Sequence, residues 1–170
     1  RVLFRSKKEG QFQYLEVGEG TPIVVLHGLM GGLSNFEAVV DFFPSQNYKV
    51  VIPELPIYDM PLTKTTVKEF ALYLKSFLEF KKFDSVILLG NSLGGHIGLL
   101  HTKVNPDPVK ALVITGSSGL YENSMGDGYP KRGDYNFIKA KAEEVFYDPK
   151  VATKEIVDEV FATVNDRMKL

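Results

Sequence analysis

Four short apolar runs rich in β-branched residues alternate with stretches of helical spacing, and this alternation restricts the fold more than any other feature of the chain. The runs are Ile23–His27, Tyr48–Leu55, Val86–Leu89 and Val109–Thr115. Continuous apolar strands are typical of a parallel sheet that is buried on both faces, and the intervening helices supply the crossovers. The sequence therefore predicts an α/β fold built on a doubly wound, mostly parallel sheet.

The segments around these runs complete the pattern. Phe36–Phe43 suits a short helix that ends at Pro44, and Thr63–Lys82 carries apolar residues at the spacing of one amphipathic helix. A third helix is predicted from about Ser92 to Val104. Ahead of the first run, Gln11–Val17 alternates polar and apolar residues, as a half-buried antiparallel strand does.

The alternation stops after Thr115. A long polar, glycine-rich stretch follows, and then two helical segments, about Asn136–Tyr147 and Thr153–Lys169, with no further strand. We therefore expect the sheet domain to occupy residues 7–119 and a helical region to begin at 120–170.

Composition limits the class of partner. The 170 residues carry a formal net charge of −1, which gives no reason to expect nucleic acid or an anionic membrane as partner. The chain has no cysteine and no clustered His, Asp or Glu, so we expect no metal and no cofactor. No apolar run approaches the roughly 20 residues of a membrane span. We expect a cytoplasmic protein with a small-molecule partner, and the oligomeric state stays open.

The first six residues, RVLFRS, do not fit the motifs that follow. One frame of a common sequencing-adapter primer encodes the same string, so we expect Arg1–Ser6 to be non-native and the chain to be a piece of a longer reading frame. The alternative is a natural strand, because Val2, Leu3 and Phe4 suit one.

Ser92 lies in the pentapeptide GNSLG, between a predicted strand and a predicted helix. This is the G-x-S-x-G pattern of a nucleophile elbow, in which the serine occupies a strained turn and bulky neighbours would clash. The helix that follows directs its free N–H groups and positive end at the reacting centre. The alternative is a tight turn with a helix-capping serine.

The loop LHGLMGG (Leu26–Gly32) follows the first buried run directly. Its glycines allow close approach of the main chain, as an oxyanion hole requires. The expected donors are the N–H groups of Leu93 and Leu29, with that of Met30 as the second choice for the loop donor.

His27 and Gly28 begin the same loop. His27 could be mistaken for a catalytic base. At the end of a strand we expect it instead to fix the loop by hydrogen bonding, with Gly28 giving the close approach.

With both motifs in place, the chain resembles the α/β-hydrolase superfamily, in particular its cap-bearing esterases and carbon–carbon bond hydrolases. The segments HGLMGG, GNSLGGHIGLL and VKALVITGSSG carry the resemblance, which runs from about Gly10 to Leu170. It implies Ser92 as nucleophile, Leu29 and Leu93 as oxyanion donors, and Tyr121–Leu170 as the beginning of a helical cap.

The resemblance also implies an acid and a histidine late in the chain, in the order serine, acid, histidine. All three histidines precede that place. We expect His96, one turn after Ser92, to be a packed core residue, and His101 to be solvated or at a rim. The base, and the last strands of the sheet, are therefore expected to be absent from this truncated fold.

The triad acid has no good candidate either. The stretch after Thr115, where the family sometimes places it, reads Gly116–Gly119, and the nearby Glu122 and Asp127 follow no strand end.

Two interpretations of function stay open. The first is a serine hydrolase fragment that acts, when whole, on an ester-like or carbon–carbon bond of a small apolar substrate, and that shows no Ser92-dependent ester hydrolysis as this piece alone. The second is an inactive ligand-binding protein of the same fold. Aromatic residues of the expected cap would line a pocket or form the cap's own core: Tyr121, Tyr129, Tyr135, Phe137, Phe146 and Tyr147.

Overall fold

A six-stranded sheet organises the chain in a computed structural model that describes residues 6–29, 33–120, 131 and 133–165. Its order is β1-β2-β4-β3-β5-β6, with β1–β2 and β2–β4 antiparallel and the other pairs parallel. The strands are β1 Ser6–Glu9, β2 Phe12–Val17, β3 Thr21–Leu26, β4 Tyr48–Pro53, β5 Val86–Asn91 and β6 Val109–Thr115. The predicted α/β class and mostly parallel sheet are confirmed.

Alternate residues of the central strands bury opposite faces of the sheet. In β3, Val24 and Leu26 contribute to one core with the two longer helices, whereas Ile23 and Val25 contribute to the other with the short helix. The helices are α1 Glu37–Phe42, α2 Val67–Phe80 and α3 Leu93–Val104. Burial on both faces explains why the central runs are continuously apolar.

Two helix boundaries differ from the prediction. A 3-10 helix, Phe43–Gln46, follows α1 and includes Pro44. Proline is tolerated in the first turn of a helix because the N–H that it lacks would have no acceptor there. The predicted helix Thr63–Lys82 is shorter, since α2 begins after Thr66, whose hydroxyl accepts a hydrogen bond from the N–H of Glu69 at 3.2 Å.

The chain divides into two compact units, 1–121 and 122–170. In the second unit, α4 (Tyr135–Glu144) and α5 (Lys154–Asn165) enclose a small core of Ala142, Ala152 and Val157. Tyr135 and Phe146, two of the aromatic residues that could have lined a pocket, pack against this core. Tyr147 is exposed, and Tyr121 and Tyr129 lie outside the described residues. The assignment of this unit to a cap stays a prediction.

Among the described residues, no helix combines the length and the apolar composition needed to cross a membrane.

Candidate active site

Ser92 connects β5 to α3 in a backbone conformation that L-residues rarely adopt, with φ 54° and ψ −120°. Such a conformation costs free energy and persists only where the surroundings enforce it. Its side chain is exposed, and its carbonyl accepts hydrogen bonds from the N–H groups of Gly95 (3.0 Å) and His96 (3.3 Å) in the first turn of α3. The residue is thus presented at the positive end of a twelve-residue helix.

The glycines on either side of Ser92 are required by close contacts. A Cβ at Gly90 would lie 2.5 Å from the carbonyl oxygen of Gly94, and a Cβ at Gly94 would overlap the carbonyl of Leu26 at the end of β3. Any side chain at these two positions would therefore force the turn and the start of α3 away from the sheet.

The end of β6 supports the same turn. The carbonyl of Thr115 accepts hydrogen bonds from the Ser92 N–H (3.1 Å) and from Nδ2 of Asn91 (3.1 Å), and Nδ2 of Asn91 also donates to Thr115 Oγ1 at 3.0 Å. Beyond the strand, the N–H of Ser118 donates to the Ser92 carbonyl at 3.3 Å. The strained serine is therefore held from both its own helix and the neighbouring strand.

Gly28 brings the loop after β3 directly against Ser92. A Cβ built on Gly28 would lie 3.1 Å from Cβ and 3.5 Å from Oγ of Ser92. The structure thus brings together two of the predicted site residues that are 64 positions apart in the sequence, whereas Met30 lies outside the described residues.

The His27 ring is hydrogen-bonded through both nitrogens. Nδ1 lies 2.9 Å from the carbonyl oxygen of Gly28, and the N–H of Leu55 donates to Nε2 at 3.1 Å. Because Nε2 accepts, the proton lies on Nδ1, which donates to Gly28, and the imidazole is the neutral tautomer. The described peptide bonds are trans, so the N–H of Leu29 points opposite to the Gly28 carbonyl that His27 holds. His27 thereby orients the peptide that carries the predicted oxyanion donor.

Neither predicted donor N–H has an acceptor among the described residues. Leu93 is the first residue of α3, where an N–H has no acceptor inside the helix. Within the described part of the chain, the N–H of Leu29 makes no hydrogen bond.

Sequence reasoning missed one residue of this loop's support. The hydroxyl of Tyr58 donates to the carbonyl of Leu29 at 2.8 Å. No signal in the sequence marked Tyr58, because it lies in an irregular segment and its partner is 29 residues away.

The other two histidines depart from the predictions. His101 was expected to be solvated, but it is 1% exposed, with Nδ1 3.4 Å from the carbonyl of Ala71 in α2. It lies one turn after the fully buried Ile97, so it faces the same core. His96, expected in the core, is half-buried, and a Cβ at Gly119 would lie within 2.6 Å of its ring.

Glu122 and Asp127 lie outside the described residues. In the described ranges, no group of three or more His, Cys, Asp or Glu residues could hold a metal ion.

Comparison with known proteins places this geometry in a family. A model of the alpha/beta hydrolase fold matches residues 21–143. A curated relative, 2-hydroxy-6-oxo-6-(2'-aminophenyl)hexa-2,4-dienoic acid hydrolase of Metapseudomonas resinovorans, is 30% identical over 148 residues, which cover 79% of this chain and 51% of the relative.

Two solved structures share the fold. MGS-MChE2, an alpha/beta hydrolase enzyme from the metagenome of lagoon sediments of Mar Chica, Morocco, is 55% identical and superposes with a TM-score of 0.72 over 97% of this chain and 60% of its own. The 2-hydroxy-6-oxo-6-phenylhexa-2,4-dienoate hydrolase of Rhodococcus sp. strain RHA1 is 20% identical, with a TM-score of 0.77 over 99% of this chain and 68% of its own. At 20% identity this second match shows the fold alone.

The chain spans about half the length of the curated relative described above. Since the family model covers most of its 170 residues and the observed sheet agrees with it, the chain belongs to the α/β-hydrolase fold family.

Proposed function

We propose that this chain carries the nucleophile and the oxyanion donors of a serine hydrolase. The observation that supports this most strongly is the pairing of an exposed, strained Ser92 with Gly28. The two residues are so close that a Cβ built on Gly28 would lie 3.5 Å from the Ser92 hydroxyl oxygen. A protein that needed only a turn here would gain nothing from a positive φ at a serine, which costs about 1–3 kcal/mol.

The proposed reaction is acyl transfer. Oγ of Ser92 forms a bond to the substrate carbonyl carbon, the hydroxyl proton passes to a base, and the carbonyl oxygen becomes an oxyanion. The N–H groups of Leu93 and Leu29 stabilise that charge. The tetrahedral species then expels its leaving group, which takes the proton from the base, and water hydrolyses the acyl-enzyme.

The contacts of the three histidines argue against each of them as the base. His27 is hydrogen-bonded through both nitrogens, His101 is buried between α2 and α3, and His96 packs near Gly119. We therefore propose that the base and its acid come from residues beyond this sequence, and that the 170-residue chain alone has no Ser92-dependent hydrolytic activity.

The relatives suggest the substrate class. The Metapseudomonas resinovorans protein is a hydrolase of a 2-hydroxy-6-oxo dienoic acid. A relative from Comamonas testosteroni, 26% identical over 88% of this chain, is a 2-hydroxy-6-oxononadienedioate/2-hydroxy-6-oxononatrienedioate hydrolase. We propose a small ketone cleaved at a carbon–carbon bond, or a small ester, as the substrate. Both reactions include attack on a carbonyl carbon, so both can use the same elbow and donors.

The test begins with the DNA downstream of the Leu170 codon, so that the protein of the extended reading frame can be expressed. That protein is assayed with a p-nitrophenyl ester and with a 2-hydroxy-6-oxo dienoate. The variant Ser92→Ala should lose activity by roughly 10⁴-fold or more. Ser76→Ala is the matched control, because Ser76 is an exposed serine on α2.

Retention of activity in Ser92→Ala would contradict the proposal. A protein that binds such compounds without turnover, and whose extended frame supplies no histidine, would support the ligand-binding interpretation instead.

A further inference from the structure

We propose that Tyr58 is a positioning residue for the oxyanion donor of Leu29. This inference rests on the proposed function, and it adds a residue that contacts neither the substrate nor Ser92. Tyr58 acts through the backbone of the loop after β3.

The hydroxyl of Tyr58 and the ring of His27 hold the two peptide groups on either side of Leu29. His27 donates to the carbonyl of Gly28 at 2.9 Å, and Tyr58 donates to the carbonyl of Leu29 at 2.8 Å. Both distances are close to the optimum for such bonds. Because a peptide group is planar, the contact at the Gly28 carbonyl restrains the peptide that carries the Leu29 N–H. The contact at the Leu29 carbonyl restrains the other side of the same residue, which limits how far that N–H can turn.

The side chain of Leu29 does not perform this task itself. It is 52% exposed, so packing supplies little to hold the residue in place. Glycine at position 28 adds conformational freedom on the N-terminal side, which makes an external restraint more important.

Tyr58 extends from a segment that is itself well anchored. Leu55 and Ile57, just before it, are 4% and 5% exposed and belong to the core formed with α2 and α3. The N–H of Ile57 donates to the carbonyl of Leu55 at 2.8 Å, and the N–H of Leu55 donates to His27. The segment after β4 therefore supports the loop twice, once through His27 and once through Tyr58.

The hydroxyl is suited to a permanent donor role. Burial raises the pKa of Tyr58 above its usual value near 10, so the group stays protonated across the neutral range. Tyr58 is still 47% exposed, so water can hydrate the Leu29 carbonyl if the hydroxyl is removed. Loss of the hydroxyl should therefore change the geometry of the loop with little effect on stability.

The experiment compares Tyr58→Phe with Tyr73→Phe in the protein of the extended reading frame, using the substrate on which that protein acts. Tyr73 is a matched control because its hydroxyl also donates to a backbone carbonyl of this segment, that of Glu54 at 3.0 Å, but not to the loop. We expect Tyr58→Phe to lower kcat about tenfold, less than the 10²–10³-fold typical of deleting a donor outright. KM should stay within twofold, Tm should stay within about 2 °C, and Tyr73→Phe should retain wild-type kcat.

The outcomes separate the two proposals. If Ser92→Ala is inactive but Tyr58→Phe has the kcat of Tyr73→Phe, the inference about Tyr58 is wrong and the proposed function stands. A raised KM with unchanged kcat would also overturn it, since Tyr58 would then bind substrate. If Ser92→Ala stays active, the proposed function itself fails.

Discussion

The two sides of the proposed site are built in different ways. On the nucleophile side, Ser92 is held by backbone contacts among its immediate neighbours and by the end of the adjacent strand β6. On the oxyanion side, the loop around Leu29 is held by two side chains. His27 bridges the Gly28 carbonyl and the N–H of Leu55, and the hydroxyl of Tyr58 donates to the carbonyl of Leu29.

This difference determines how each side responds to substitution. Glycine contacts at the elbow are steric, so a change there disturbs the packing of α3 on the sheet and with it the whole fold. Hydrogen bonds at the loop are directional and partly exposed, so a change there alters geometry more than stability. We therefore expect substitutions at the elbow to lower stability, and substitutions at the loop to lower activity more than stability.

The largest effect on stability is expected from Gly94→Val. Its side chain would overlap the carbonyl of Leu26, which is backbone and cannot move aside cheaply. We expect a loss of about 3 kcal/mol or more in the free energy of unfolding, measured by urea denaturation. Gly133→Ala is the control, because a Cβ there meets nothing within 4 Å. Equal stability of the two variants would contradict the claim that close contacts at the elbow require glycine.

An intermediate effect is expected from His27→Ala. The substitution leaves the carbonyl of Gly28 and the N–H of Leu55 without their partner, which should cost about 1–3 kcal/mol of stability. In the protein of the extended reading frame, kcat should fall by about 10²-fold, because the Leu29 peptide is no longer oriented. His27→Gln, whose side-chain amide carries both a donor NH2 group and an acceptor oxygen, should recover part of both losses. A loss of activity as large as that of Ser92→Ala, with stability unchanged, would indicate that His27 is the base after all.

The smallest effect on stability is expected from His101, which belongs neither to the elbow nor to the loop. A substitution there should change how stability depends on pH without changing how catalysis does. Burial lowers the pKa of His101 below its usual 6.5. The unfolded chain therefore binds a proton that the folded chain does not, and stability falls as pH drops below about 6.5, with a slope of at most about 1.4 kcal/mol per pH unit. His101→Leu should flatten this part of the curve of unfolding free energy against pH, while kcat keeps its pH profile. An unchanged slope would contradict the assignment.

Much of the fold is encoded locally and could be predicted from the sequence. The bounds of β6 agree with the prediction, and α3 begins next to the predicted residue, because runs of apolar residues and a glycine-flanked serine are local signals. Strand β1 was missed because its sequence, SKKE, is fully exposed and polar; it forms by pairing with β2, so that Ser6, grouped with the non-native residues, lies opposite Leu15.

The remaining differences arise from contacts between distant segments. Tyr58 and Leu55 meet the loop only after β3 and β4 pair, which no local pattern reveals. The burial of His101 did leave a signal, since it lies four residues after Ile97, and the two share one face of α3. We nevertheless expected His101 to be solvated, because histidine is a polar residue.

The most direct test of the central claim is a crystal structure of the extended protein after reaction with an aryl phosphonate, a mimic of the tetrahedral intermediate. The account predicts a covalent bond from phosphorus to Oγ of Ser92, with a phosphonate oxygen about 3 Å from the backbone nitrogens of both Leu29 and Leu93. A phosphonate bound to another residue, or an oxygen on Ser92 that neither nitrogen contacts, would contradict it.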